Sequence, residues 1–239
     1  MSVAVVVVAA GSGLRLGADI PKAFVELHGR SLLRWSLDQG LACSDVGHLI
    51  VVAPAAWLVA AREIASAAVA DAGRGPGSGE GEVVVDVVPG GADRRESVAA
   101  GLAVLLDEDG LVLVHDAARA LAPPELFQRV IHALREGRGA VIPGMAVADT
   151  IKAVDSSGVV TATLDRAALR AIQTPQGFGR AVLTHAHGEN HDAVVTDDAA
   201  LVELTGAPIH VVDGDAWAAK ITTRDDLDMA ERRLSRVGS

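Results

Sequence analysis

The chain has 239 residues, a formal net charge of −10, 50% apolar residues, 3% aromatic residues and one cysteine, Cys43. A chain of this length buries about 70–75% of its unfolded surface without disulfide staples, and a single cysteine excludes an internal disulfide and multi-cysteine zinc sites. The acidic balance and few aromatics speak against a nucleic-acid surface, and the apolar runs fall well short of the ~18 residues of a membrane span. The expectation is a soluble cytoplasmic protein with no nucleic-acid or membrane partner.

The first predicted strand, 3–9, carries Val5-Val6-Val7-Val8 and runs into Ala9-Ala10-Gly11-Ser12-Gly13-Leu14-Arg15-Leu16-Gly17, with Pro21-Lys22 just beyond. Glycines clear side chains from a turn so that backbone N–H groups face an anion, and Arg15 and Lys22 add two cations within reach. Leu16 stands where the dinucleotide fingerprint needs a glycine, and the Gly-Lys-Ser/Thr ending of a Walker A loop is absent. The turn reads as a polyphosphate cradle of another kind, the plain alternative being an ordinary βα turn.

A helix near 31–41, a strand near 48–53 and a helix near 56–72 follow. Residues 73–82, Gly-Arg-Gly-Pro-Gly-Ser-Gly-Glu-Gly-Glu, read as a flexible surface insertion. The strand near 82–88 leads to Pro89-Gly90-Gly91-Ala92-Asp93-Arg94, then Ser97 and a helix near 94–107. The strand near 110–115 leads to His115-Asp116-Ala117-Ala118-Arg119, and Pro123-Pro124-Glu125 suits the first turn of a helix over 123–136. After a strand near 139–143, residues 144–172 are polar and strand-like. Ser156-Ser157-Gly158 turns between 150–154 and 159–163, which predicts a projecting hairpin arm outside the central sheet. Helices near 179–187 and 196–205, a strand near 208–213 and a helix near 223–236, opened by Thr223 with Asp226 as a capping box, complete the chain.

Alternating strands and helices predict one α/β domain over 1–239: a Rossmann-like, mostly parallel sheet with helices on both faces, bearing the hairpin arm over 144–172. Ligands of such sheets bind outside the carboxyl ends of the strands, so the loops after the first, third and fourth strands share one edge. Asp116, at a strand end, is the candidate for a divalent metal such as Mg²⁺, which takes one or two carboxylates and completes its shell with water and phosphate. A helix cap or an ion pair with Arg119 is the plainer reading. His185, His187, Glu189 and His191 form a second cluster, but Gly188 and Asn190 break the segment, and a solvated helix end is expected rather than a metal site.

The order of motifs resembles the 2-C-methyl-D-erythritol 4-phosphate cytidylyltransferase family over nearly the whole chain. The matching pieces are the Ala-Ala-Gly-x-Gly-x-Arg turn with Pro21-Lys22, Gly90-Gly91-x-x-Arg94-x-x-Ser97, Val114-His115-Asp116-Ala117-Ala118-Arg119 and Asp149-Thr150-Ile151-Lys152. Arg166, Gln173-Thr174-Pro175-Gln176-Gly177-Phe178, Thr196-Asp197-Asp198-Ala199 and Lys220-Ile221-Thr222 continue the series. The resemblance implies transfer of CMP from CTP to methylerythritol phosphate with Mg²⁺, releasing pyrophosphate. It implies Arg15, Lys22, Arg166 and Lys220 as catalytic groups, and Ala10, Gly11, Ser12, Gly13, Gly91, Arg94, Ser97 and Ala117 as the nucleotide site. Asp116 would hold the metal. Arg119, Thr150, Arg166, Thr174, Thr196 and Lys220 would hold the acceptor, and the arm would be exchanged in a homodimer.

Val8, Ala23 and Ala92 depart from the commoner pattern, which had proline, glutamine and in some relatives an acidic residue there. None of the three removes a charge that the chemistry needs. The nearest rival keeps the fold and changes the acceptor to ribitol 5-phosphate. A catalytically silent nucleotide-binding regulator has less need of both Arg15 and Lys22, and a nicotinamide oxidoreductase is disfavoured by Leu16.

Overall fold

The computed structural model describes residues 2–11, 13, 16, 19–77, 81–189 and 195–237. From the N-terminus, β1 (Ser2–Val8) leads through the glycine turn to a 3₁₀ turn at Lys22–Phe24, a short hairpin of β2 (Glu26–Leu27) and β3 (Arg30–Ser31), and α1 (Leu32–Leu41). There follow β4 (Val46–Ala53), α2 (Leu58–Asp71), β5 (Gly75–Pro76), β6 (Glu82–Pro89), α3 (Arg94–Leu102), β7 (Asp109–Asp116), α4 (Pro124–Arg135) and β8 (Ala140–Ala146). The rest comprises β9 (Lys152–Val154), β10 (Val160–Thr163), β11 (Arg170–Ile172), β12 (Gln176–Gly179), α5 (Arg180–Gly188), α6 (Asp198–Leu204), β13 (His210–Asp213) and α7 (Arg224–Val237).

Among the described residues, nine strands form one sheet in the order β11-β8-β12-β7-β1-β4-β6-β5, with β13 added on β8. β1 lies between β4 and β7 and is parallel to both, the position that a continuous β-branched run favours because both faces are covered. Side chains alternate across such a strand. Val3, Val5 and Val7 face one core, with Leu33 and Leu37 of α1, Ala61 and Ala65 of α2, and Leu126 and Val130 of α4. Ala4 and Val6 face the other, with Val98 of α3, Leu183 of α5, and Leu201 and Val202 of α6. A third cluster seats α7 through Leu227 and Ala230 against Leu16, Leu27 and Leu121.

The expected strands and helices are present, and the α/β class holds. The predicted starts also hold: Pro124 opens α4, while Thr223 and Asp226 exchange backbone N–H bonds ahead of α7. Two expectations need correction. Residues 73–82 are not wholly a loop, because Gly75–Pro76 pairs in parallel with Glu82–Val83 at the sheet edge. The stretch 144–172 is not wholly outside the central sheet either. β9 and β10 form the separate hairpin, turned by Gly158, but Gly144–Ala146 pairs antiparallel with Arg170–Ile172 as β8 and β11. β12 was not foreseen at all, and it inserts antiparallel between β7 and β8.

Candidate active site

The ends of β1, β4, β6 and β7 coincide. Val8 is level with Val52 and Asp116, and the chains leaving the strands stay bonded: Ala9 N–H to the Val52 carbonyl, Gly90 N–H to that of Ala53, and Ala117 N–H to that of Val8. Three loops are thereby gathered on one edge. Gly90 permits the approach of two of them, since a Cβ there would lie 2.4 Å from the Ala10 Cβ. Ser97 then ties the loop after β6, accepting from the Gly91 N–H at 3.2 Å and donating to the Asp93 carbonyl at 2.7 Å.

A pocket of ≈ 120 Å³ opens at this edge, lined among others by Gly11, Lys22, Arg94, Asp116, Ala117 and Lys220. Lys22 begins the 3₁₀ turn after Pro21 and packs on Gly13, which has φ +68; a Cβ on Gly13 would sit 2.5 Å from the Lys22 Cβ. Lys220 comes from the loop before α7, fixed there by the Ile221 N–H bonded to the Ala118 carbonyl at 2.8 Å. Its Nζ donates to Asp116 Oδ2 at 2.7 Å, while Arg94 Nε donates to Oδ1 at 3.3 Å. Arg94 is held more tightly on its other side, Nη1 donating to Asp198 Oδ2 at 2.6 Å.

Burial by itself would raise the Asp116 pKa, but Arg94 and Lys220 outweigh it and hold the carboxyl well below the usual carboxylate range. Burial also opposes the charge on Arg94, and Asp198 with Asp116 more than restores it. His115, fully enclosed next to Asp116, is pushed down to about 4 by burial and is neutral at physiological pH. Its Nδ1 meets the Thr174 hydroxyl at 3.1 Å, and that oxygen also accepts from the Asp116 N–H at 3.1 Å. Thr174 is thus engaged behind the strand end.

The structure brings together Gly11, Gly13, Lys22, Arg94, Asp116, Ala117 and Lys220, with Ala10, Gly91 and Ser97 alongside. Arg15 and Ser12 lie outside the described residues. Arg119 does not pair with Asp116. Its guanidinium donates to the carbonyls of Ala218 at 2.7 Å and Ile172 at 3.0 Å, bracing the segment that carries Lys220. Thr150 and Arg166 belong to the exposed arm, where Arg166 donates to the Ala148 carbonyl, and Thr196 is exposed ahead of α6. None of these three lines the pocket.

The histidine cluster divides. His185 faces Glu189 at 3.7 Å on the surface, and His191 lies outside the described residues. His187 is not at a solvated helix end: its side chain is 5% exposed, and Nε2 lies 2.9 Å from Asp198 Oδ1. Sequence reasoning missed both Asp198 and His187 as neighbours of the site. The Thr-Asp-Asp motif was the one available signal. A larger groove of ≈ 1120 Å³ between α1 and α2 is lined by Arg34, Asp38 and Asp71, whose charges are already paired with one another.

A single carboxylate at the pocket wall, flanked by lysines and glycine-turn backbone, suits a magnesium ion that takes one protein ligand and completes its shell with phosphate and water. Fold and site together define a nucleotidyltransferase of Rossmann-like architecture. The family model for IspD, 2-C-methyl-D-erythritol 4-phosphate cytidylyltransferase, matches residues 3–236, and the chain belongs to that family. It is 49% identical over 235 residues to the enzyme of that name from Nocardia farcinica, covering 98% of this chain and 95% of the relative. It is 46% identical over 228 residues to the one from Rhodococcus jostii, covering 95% and 93%. Among solved structures, the 4-diphosphocytidyl-2C-methyl-D-erythritol synthase of Anaerococcus prevotii superposes with a TM-score of 0.82 at 30% identity, covering 98% of this chain and 99% of that one. The cytidylyltransferase of Thermus thermophilus gives 0.73 at 36% identity, covering 99% and 100%.

Proposed function

We propose that this protein transfers CMP from CTP to 2-C-methyl-D-erythritol 4-phosphate, releasing pyrophosphate, as a step of isoprenoid precursor synthesis. The observation that carries the reading is family membership across residues 3–236. The convergence of Lys22, Arg94, Asp116 and Lys220 on one pocket supports it. An oxygen of the acceptor phosphate forms a bond to the α-phosphorus of CTP, and the α–β bridging P–O bond breaks. A phosphate monoester has a second pKa of about 6, so the nucleophile is already an anion at neutral pH and needs no general base. Neutral, enclosed His115 is not placed to act as one.

The barrier is repulsion between polyanions and the charge that grows at the α-phosphorus, which positioned cations relieve. Lys22, with Arg15 from the same turn, serves the triphosphate. Lys220 leaves Asp116 for the acceptor phosphate. A magnesium ion on Asp116 would supply charge screening between the two substrates. The backbone of Ala10, Gly11 and Gly91 shapes a pocket for cytosine.

Thr150 and Arg166 sit on the arm, whose Val154, Val159 and Val160 are exposed. An arm exchanged across a two-fold homodimer would bring Arg166 to the partner's pocket and cover these valines. Lys22→Ala and Arg166→Ala proteins, each inactive alone, would on co-refolding recover about a quarter of wild-type activity, because half the dimers are mixed and each carries one intact site. No recovery would refute the exchange. Among the described residues no helix is long and apolar enough to cross a membrane; with lone buried Cys43, a cytoplasmic setting is the reading we adopt.

The functional test is pyrophosphate release with CTP, Mg²⁺ and a panel of alcohol phosphates. Methylerythritol phosphate should exceed ribitol 5-phosphate, and CTP should exceed UTP sharply, since a site that bonds a polar group rejects analogues lacking it. Equal kcat/KM for UTP and CTP would overturn the nucleotide assignment.

A further inference from the structure

Arg94 stands between two carboxylates, and the two contacts are unequal. The contact to Asp198 is short at 2.6 Å, and Asp198 has no solvent exposure. The contact to Asp116 is 3.3 Å, to a group on the pocket wall. The two oxygens of Asp198 are divided between two donors, Oδ2 to Arg94 Nη1 and Oδ1 to His187 Nε2. A carboxylate only accepts, so Nε2 of His187 carries a proton and donates to Oδ1, while Nδ1 is buried with no partner among the described residues. His187 from α5 therefore fixes the rotamer of Asp198 on α6. Gln176 of β12 fixes the helix itself, donating to Asp197 Oδ2 at 2.7 Å and accepting the Ala199 N–H at 3.2 Å.

The arrangement solves a problem of charge. When Asp116 turns to a divalent cation, any cation held by Asp116 alone loses its counter-ion. Lys220 is half in solvent and can move away, but Arg94 is largely enclosed, and an unpaired buried guanidinium is strongly unfavourable. We propose that Asp198, oriented by His187, is a positioning residue that serves as the standing counter-ion of Arg94 and so leaves Asp116 free to bind the metal–nucleotide complex. Without Asp198, Arg94 depends on Asp116 alone and competes with the metal for it. The inference rests on the functional reading above, and it assigns work to two residues that touch neither substrate.

The test is calorimetric binding of α,β-methylene-CTP, which the enzyme cannot cleave at the α–β bond, with Mg²⁺ and with EDTA. The quantity read is the gain in affinity that Mg²⁺ provides. Asp198→Asn keeps the shape and removes the charge, and it should cut this gain about tenfold while changing the EDTA affinity much less. His187→Leu should cut it in the same direction by a smaller factor, and His187→Gln, which restores a donor at the place of Nε2, should bring it back. In an Asp116→Asn background, Asp198→Asn should produce no further change. If Asp198→Asn does not fold, the His187→Leu and His187→Gln pair carries the test.

A variant that melts earlier yet keeps the full Mg²⁺ gain would overturn the proposal, since Asp198 and His187 would then only join α5 to α6. An additive effect of Asp198→Asn in the Asp116→Asn background would overturn it as well. Absence of any Mg²⁺ gain in the wild type would remove the metal from Asp116, and with it the magnesium assignment in the functional reading and this inference. A normal wild-type gain left unchanged in the variants removes the inference alone.

Discussion

Toward the N-terminal ends of β4 and β7, His48 is bonded on both ring nitrogens, Nδ1 to Asp109 at 2.6 Å and Nε2 to Asp86 at 3.0 Å. At the C-terminal ends, His115 Nδ1 meets the Thr174 hydroxyl, its Nε2 is buried without a hydrogen-bond partner among the described residues, and the charge next to it, Asp116, is shared by Arg94 and Lys220 at the wall of a pocket. Both clusters are buried polar groups in one sheet. The first has its charges matched within the fold: Asp109 Oδ2 takes both His48 and the Leu106 N–H, the latter at 2.9 Å, and so joins the strand to the turn before it, while Oδ1 is buried without a hydrogen-bond partner among the described residues. The second keeps its cations on a group that a ligand can claim. Such a contrast separates a cluster that specifies the fold from one that serves chemistry.

The sharpest way to break this contrast is to remove a charge from each end and read activity and stability separately. Lys22→Ala and Lys220→Ala should each lower kcat by about 10²–10³-fold, because the charge they meet is greatest in the transition state; the unfolding midpoint should change little in Lys22→Ala and fall in Lys220→Ala, which leaves Asp116 with Arg94 alone. Either variant with near wild-type kcat would take that lysine out of the chemistry. At the other end, Asp109→Ala leaves His48 with one partner and an orphaned Leu106 N–H. It should destabilise the fold by about 3–5 kcal/mol, read by urea unfolding, with kcat per folded molecule retained. A comparable loss of kcat would join the two clusters functionally.

The two histidines also differ in sign. Burial opposes the charge on His48, but Asp109 and Asp86 outweigh it and raise its pKa. Its stabilisation is therefore complete below the unfolded value of about 6.5 and is lost as pH rises through the higher folded value. His115, pushed down to about 4, acts in reverse: the unfolded chain takes up a proton that the folded one refuses, so stability falls as pH drops from about 6.5 toward 4. Unfolding free energies measured against pH in metal-free buffer should lose the alkaline slope in His48→Gln and the acid slope in His115→Gln. The full His115 effect is on the order of 3 kcal/mol. Unchanged slopes would mean that neither histidine is held as described.

A smaller effect is expected within the site itself. Gly13→Ala meets both a positive φ and the Lys22 side chain, so it should cost roughly 1–2 kcal/mol of stability. It should also displace Lys22, lowering kcat while the acceptor KM changes little. A stability loss with unaltered kcat would show that Lys22 tolerates movement of the turn.

Much of this molecule was legible in the chain itself, because the signals are local. Val5–Val8 specify a strand buried on both faces, Pro124 and Thr223 mark helix starts, and the rule that ligands gather at carboxyl ends of parallel strands located Gly11, Lys22, Gly91, Arg94 and Asp116 on one edge. Three things needed the tertiary structure. β12 has only four residues, two of them glycine, and its strand state comes from the antiparallel bonds that β7 and β8 offer it rather than from propensity. Arg119 looked like a partner for Asp116 three residues away, yet the carbonyls of Ala218 and Ile172, supplied by distant segments, hold its guanidinium instead. The line from His187 through Asp198 and Arg94 to Asp116 joins positions up to 104 residues apart. Periodicity and spacing report what a residue does to its neighbours in the chain. Which buried charge finds which counter-ion is decided only when packing brings separate elements together and shuts out the water that would otherwise solvate it.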